Sequence, residues 1–331
     1  MPAGGAYARS RPDRGGEMTV HDHAQRRGPT IALVSADGRV AAAVSTLAGA
    51  LRSLVVDGVA VVEPTADAAV PPGAAGTLLA PWPNRVDGAL WVHEGATQRL
   101  EVTEPGLGHA LHGLLLAREL EVVAATDSGV ELRARLGGER GYPFAIEVTV
   151  RYALRDDGVD VTITARNRGS GRAPFAAGSH PYLRVGDVPV DELSVQVDAD
   201  TELLLDDRYV PIDRRPVAGT ASDLRSGAPV PEAPRHAAFA MTGSARPLRH
   251  ALEAPDGTRV ELHADPAFRF TWIYLAEALD TDQGPRRALA IEPMSAPANA
   301  LRTGEGLAWI EPGSQWSAGF SIRLVQASRA R

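Results

Sequence analysis

Two alternating segments joined by an acidic turn constrain the fold more than anything else in this chain. Ile146-Glu-Val-Thr-Val-Arg-Tyr-Ala-Leu154 places apolar residues at every second position, and so does Val159-Asp-Val-Thr-Ile-Thr-Ala165. Asp156-Asp157-Gly158 makes the turn between them. A period of two buries one face and wets the other, as in an antiparallel sheet. The same grammar recurs from Ile31 to Val325. Asp127-Ser128-Gly129 separates Glu119–Ala125 from Val130–Leu136, and Gly95 separates Trp91–His93 from Gln98–Val102. No segment carries a long 3.6-residue stripe. Short strands with turn signals between them predict an all-β sandwich or barrel.

Nothing after Thr30 reads as a linker, so residues 31–331 are expected to form one domain. Residues 1–30 are polar and rich in Gly and Arg, have no apolar stretch of a secretory signal, and are expected to be a disordered tail. His21 and His23 lie in that tail, where a structural or solvent-exposed role outweighs metal binding. The region Asp213–Pro234 is rich in Pro and Arg and reads as a long surface loop.

Composition narrows the chemistry. The 331 residues include no Cys, which excludes disulfides, thiolate metal sites and a Cys nucleophile, and fits a cytoplasmic location. All 34 basic residues are Arg, so Schiff-base catalysis by Lys is excluded and a single Arg carries little information. A net charge of −7 argues against nucleic-acid binding. No apolar run is long enough to span a bilayer, so no membrane partner is expected.

Four stretches stand apart from the strand pattern. Ala288-Leu-Ala-Ile-Glu-Pro293 is an apolar run ending on Glu292, with a proline at once behind it. Proline removes an N–H and biases the preceding residue to extended geometry, so the ladder is expected to stop there, with Leu289 and Ile291 on one side and Glu292 on the other. Gly178-Ser-His-Pro-Tyr182 repeats the device with His180. A Glu and a His have reference pKa values on either side of neutrality, which suits proton transfer, although a strand-end carboxylate is also a common surface feature. Leu79-Ala-Pro-Trp-Pro-Asn-Arg85 fixes a loop that would present Trp82, Asn84 and Arg85. An indole, an amide and a guanidinium suit the face and hydroxyls of a sugar, and a rigid turn is the plain alternative. In Gly108-His-Ala-Leu-His-Gly113, His109 and His112 are spaced like a metal pair without a third ligand nearby in sequence.

These pieces fall in an order that resembles the aldose 1-epimerase (galactose mutarotase-like) family, in its shorter bacterial branch. The matching residues are Pro83-Asn-Arg-Val-Asp-Gly88, Leu111-His-Gly113, Gly141-Tyr-Pro-Phe144, Ser179-His-Pro-Tyr182, Pro216-Val-Ala-Gly-Thr220, Ile291-Glu-Pro-Met294, Gly304-Glu-Gly-Leu307 and Glu311-Pro-Gly313. The resemblance implies a large antiparallel β-sandwich, a supersandwich with few short helices. It further implies interconversion of the α and β anomers of a hexose such as glucose or galactose, with Glu292 as general base and His180 as general acid. Asn84, Arg85, His112, Trp82 and Tyr182 would contact the sugar. No metal and no organic cofactor are implied. Many members carry an Asp in the stretch matching Pro234-Arg-His-Ala-Ala-Phe239; here His236 stands in its place, so a sugar preference does not carry over. Two other readings remain open on sequence: a mutarotase of a sugar phosphate, for which Arg85 would be one anion contact, and a non-catalytic carbohydrate-binding protein.

Overall fold

A computed structural model describes residues 28–65, 71–243 and 246–327. His21 and His23, and the expected tail apart from its last three residues, lie outside them. Gly28 is buried, and Thr30 opens the first strand.

Strands and turns make up nearly all of the described chain, and Ala300–Thr303 is its one short α-helix. Two large antiparallel sheets dominate. The first has nine strands, in the order Glu121–Thr126, Gly129–Leu136, Ile146–Arg155, Gly158–Asn167, Gln315–Val325, Arg259–Ala264, Leu248–Glu253, Ser194–Gln196 and Ala228–Pro229. The two alternating segments pair along their whole length, from Ile146 against Asn167 to Arg155 against Gly158. Their odd-even pattern is the burial pattern: Val148, Val150, Val161 and Ile163 are buried, while Arg151 and Thr162 are exposed.

The second sheet runs in the order Pro211–Pro216, Thr201–Leu205, His236–Ala240, Phe270–Thr281, Gly284–Met294, Gly178–Ser179 and Leu78–Leu79, with Tyr182–Leu183 also paired to Gly284–Met294. Its residues divide by parity. Ala237, Phe239, Ile273, Leu275, Leu289 and Ile291 join the main core with the inward side chains of the first sheet. Ala238, Ala240, Trp272, Met294, Ala288 and Ala290 fall in separate clusters on the opposite face. A two-faced sheet has one side to give to the core and one to give to a ligand.

Two sequence expectations are corrected. The ladder does not stop at Glu292: the strand continues to Met294, with Pro293 opposite Thr271 and Met294 opposite Phe270. The region 213–234 is not uniformly irregular. Pro211–Pro216 is an edge strand on Thr201–Leu205, and Ala228–Pro229 pairs with Ser194–Gln196. Both proline-bearing segments sit at sheet edges, where a missing N–H leaves no interior partner unsatisfied.

Candidate active site

Pro293 survives inside a strand because its neighbour is broken at the same level. Gly178 pairs with Met294, and Tyr182 with Ala290; between them the ladder is interrupted at His180-Pro181. The register is the same on both sides of the gap, so it sets His180 directly opposite Glu292. Two prolines, one on each strand, remove N–H donors from this level. The backbone turns to other partners: His180 donates its N–H to Thr77 (3.1 Å) and accepts from Gly76 (2.8 Å), and Ile291 donates to Pro181 (3.2 Å). The two side chains then meet, with His180 Nε2 3.3 Å from Glu292 Oε1.

Both groups are removed from solvent, Glu292 at 1% and His180 at 4% exposure. Burial pushes the Glu292 carboxyl up to about 8, partly offset by the Arg85 charge. Burial also lowers His180 to about 4. Among the described residues, Glu292 Oε2 and His180 Nδ1 are buried without a hydrogen-bond partner. Buried polar atoms without a partner are costly, and here one falls on each member of a contacting pair.

His112 completes the group. Its ring meets that of His180 edge-on, centroids 5.3 Å apart. One ligand atom from each of His112, His180 and Glu292 lies within 4.8 Å of the others, so these residues are also where a metal ion would be sought. Burial, then the His180 and Arg85 charges, holds the His112 imidazole well below its usual pKa. The loop that carries it is tight. Gly113 has φ +79°, and a Cβ there would fall 2.1 Å from the carbonyl oxygen of Ala80.

Arg85 lies beside this group. Its guanidinium is forked by Glu104 through two 2.8 Å contacts, and its Nη1 reaches Asn84 Oδ1 at 3.4 Å. Its flat face lies 5.0 Å from the Tyr209 ring and 5.7 Å from Trp272. Trp272 is opposite Glu292 on the other flanking strand. One row further along, His236 is opposite Tyr274, which is opposite Ala290, which is opposite Tyr182. His236 is sandwiched between Tyr209 and Tyr274, both with centroids 4.7 Å away. Tyr182 lies 5.1 Å from His180 and donates its hydroxyl to Gly73 at 3.2 Å.

The structure therefore groups Glu292, His180, His112, Arg85, Tyr182 and His236 on one region of the sheet's non-core face. Asn84 is there too, but is 1% exposed and turned toward Arg85. Trp82 is not: it packs in the main core beside Tyr142, 6.0 Å between ring centres. His109 separates from His112 and bonds Gly88 and Arg208. Trp272, Tyr274, Tyr209 and Glu104 escaped the sequence reading. Alternation in Phe270-Thr-Trp-Ile-Tyr274 puts Trp272 and Tyr274 on one face and was the available signal for two of them. Tyr209 sits in a turn at φ +61° and had none.

The chain belongs to the aldose 1-epimerase family, whose model matches residues 31–323. Among curated proteins it is similar to the uncharacterised protein YihR of Escherichia coli K12. The two are 29% identical over 303 residues, covering 89% of this chain and 93% of YihR. A GalM/aldose epimerase homologue from C. elegans has the same fold, with TM-score 0.77 at 17% identity, covering 91% of this chain and 100% of that one. So does galactose 1-epimerase from Lactobacillus acidophilus NCFM, at TM-score 0.73 and 17% identity, covering 89% and 94%.

Proposed function

We propose that this chain is a mutarotase that interconverts the anomers of a free aldohexose by acid–base ring opening. One observation carries the reading: a sheet register sets a buried His opposite a buried Glu, 3.3 Å apart, with an unpaired polar atom on each.

Glu292 takes the proton from the anomeric hydroxyl as His180 gives one to the ring oxygen. The C1–O5 bond breaks and a free aldehyde forms. Rotation about C1–C2 presents the other face of the carbonyl. Ring closure then runs the transfers backward: His180 recovers its proton from the O5 hydroxyl, and Glu292 returns one to O1. No net proton is consumed and both groups end as they began. The pair must carry one shared proton to work. With both protonated there is no base, and with both deprotonated there is no acid. The raised Glu292 and lowered His180 pKa values keep the pair singly protonated between about pH 4 and about pH 8. Burial favours that proton on Glu292; the reactive form has it on His180, one transfer away across the 3.3 Å contact. Arg85, Tyr182 and His236 supply sugar contacts around the pair, and Trp272 an apolar surface beside it.

Polarimetry of freshly dissolved α-glucose and α-galactose tests this. Glu292→Gln and His180→Asn should each abolish the acceleration while circular dichroism stays unchanged. Wild-type rates in both folded variants would overturn the mechanism. Sugar binding in calorimetry with no acceleration by the unaltered protein would instead make it a carbohydrate-binding protein.

A further inference from the structure

Two turns far apart in the chain meet beside Arg85, and one buried imidazole joins them. The turn Asp206-Asp-Arg-Tyr-Val210 links the strands Thr201–Leu205 and Pro211–Pro216 at the outer edge of the second sheet. Its shape is set from within. Asp206 Oδ1 accepts the N–H groups of Arg208 at 2.9 Å and Val210 at 2.8 Å, and Tyr209 donates its N–H to the Asp206 carbonyl at 3.1 Å. Tyr209 takes φ +61°, the left-handed region that residues other than Gly rarely enter. The second turn runs from Glu104 to His109 and is closed by the Gly108 N–H on the Glu104 carbonyl at 2.8 Å.

His109 is fully buried, and its Nδ1 accepts the backbone N–H of Gly88 at 3.2 Å. A backbone N–H can only donate, so Nδ1 offers its lone pair and the proton of the neutral ring sits on Nε2. That Nε2–H donates to the Arg208 carbonyl at 3.2 Å. The Arg208 side chain clasps the same junction, donating to the Leu107 carbonyl at 2.9 Å and meeting Asp87 Oδ1 at 2.9 Å. Burial and the Arg208 charge both hold the His109 imidazole below its usual pKa, which favours the neutral donor. The junction governs two sides of Arg85. Glu104, in the His109 turn, forks the guanidinium, and Tyr209, next to Arg208, lays its ring 5.0 Å from it. The same Tyr209 ring stacks on His236, centroids 4.7 Å apart. A turn is ordinarily more mobile than the strands it joins, so these ring contacts last only while the turn is held.

We propose that His109 is a positioning residue: its Nε2–H on the Arg208 carbonyl seats Tyr209 against Arg85 and His236, and so holds these two site residues ready for the sugar. This rests on the mutarotase reading of the site and deepens it. His109 acts on sugar binding and not on proton transfer, because it works on the site through Tyr209 rather than through the His180–Glu292 pair.

Two amide substitutions separate the halves of the contact. The amide oxygen of Asn can take the place of Nδ1, and the amide nitrogen of Gln the place of Nε2. His109→Asn keeps an acceptor for Gly88 but loses the donor to Arg208, so it should raise KM for glucose or galactose about fivefold or more and change kcat by less than about twofold. His109→Gln restores the donor and should recover most of that rise. Tyr209→Leu should raise KM by itself, and adding His109→Asn to it should cost less than about a further twofold, since both act through one ring. Equal KM rises in the folded Asn and Gln variants, or full additivity with Tyr209→Leu, overturns the proposal. NMR of histidine-labelled full-length protein, without sugar and without turnover, gives a second reading. The unaltered protein should carry the His109 proton on Nε2. The His236 ring resonances should move in Tyr209→Leu and move the same way in His109→Asn. An Nδ1-protonated His109 in the unaltered protein, or an unchanged KM in Tyr209→Leu, overturns the proposal without any His109 variant. If the resonances respond as expected in a protein with no anomerase activity, the mutarotase reading alone falls.

Discussion

Two buried carboxylates, Glu63 and Glu292, lie near the same short strand and have opposite surroundings. Glu63 is 4% exposed and Glu292 1%. Glu63 donates its backbone N–H to Tyr182, two residues from His180, and its carboxylate meets Arg184 at 3.3 Å and Arg286 at 3.7 Å. Burial pushes its pKa up while the two guanidiniums pull it back. Arg184 is itself buried and further tied to the Gly186 carbonyl and Asp187. Glu292 has a neutral imidazole at 3.3 Å, one oxygen without a partner, and only the more distant Arg85 to favour its charge. Both carboxylates are buried, so burial does not distinguish them. The difference lies in whether the fold supplies the counter-charge or leaves a lone pair for a visitor.

The largest effect expected from this contrast is on rate. Glu292→Gln should lower kcat by about 10²–10⁴, the usual worth of a positioned acid or base, whereas Glu63→Gln should keep most activity per folded molecule. Anomerisation rates normalised to the folded fraction would measure both, and equal losses would erase the distinction. The second effect is on stability and runs the other way. Breaking the Glu63–Arg184 pair with Arg184→Met should cost roughly 3–5 kcal/mol, because it strands a buried charge. Urea unfolding should find Glu292→Gln no less stable than the parent at pH 8.

A third expectation concerns pH. The rate should fall on both sides of a plateau, as Glu292 and His180 both protonate below about pH 4 and both deprotonate above about pH 8. Buffer-corrected pH–rate profiles of kcat/KM would show these limbs, and Glu63→Gln should leave them in place. The linked effect on folding is smaller. The folded-state pKa of Glu292 is raised from 4.5 to about 8, so the folded protein binds more protons across that window and stability falls as pH rises through it. His180 is lowered from 6.5 to about 4, so it withdraws stability as pH falls below 6.5. Thermal melts should show the advantage of Glu292→Gln over the parent growing from pH 5 to pH 8. The smallest effect belongs to the aromatic sandwich. His236→Ala removes one hydrogen-bonding group and should raise KM for the preferred hexose by roughly three- to tenfold, acting less on kcat, as saturation kinetics would read.

Much of the fold was legible in the chain. Alternation in Ile146–Arg155 and Gly158–Asn167 gave both strands and their buried faces, because a pleat maps sequence parity onto side. The same rule placed Ile291 in the core and Glu292 on the other face. The His180-Pro and Glu292-Pro echo was visible as a motif, and the strand Gly178–Ser179 does end just before His180, but Glu292 was wrongly read as a strand end. Proline reports a missing N–H, and only the neighbouring strand tells whether that ends a ladder or opens a gap inside one. Trp82 was expected to face a sugar and lies in the core, because local sequence does not decide which way a loop side chain turns.

By itself, then, the sequence determined the class of fold, the face of each long strand, and which residues could exchange protons. Those properties are local, set by backbone geometry and side-chain chemistry. Tertiary structure decided which of them meet. The register that sets His180 against Glu292 and the arginines that occupy Glu63 but not Glu292 both join residues far apart in the chain. Such contacts depend on how the sheet aligns its strands, and no short stretch of sequence carries that alignment.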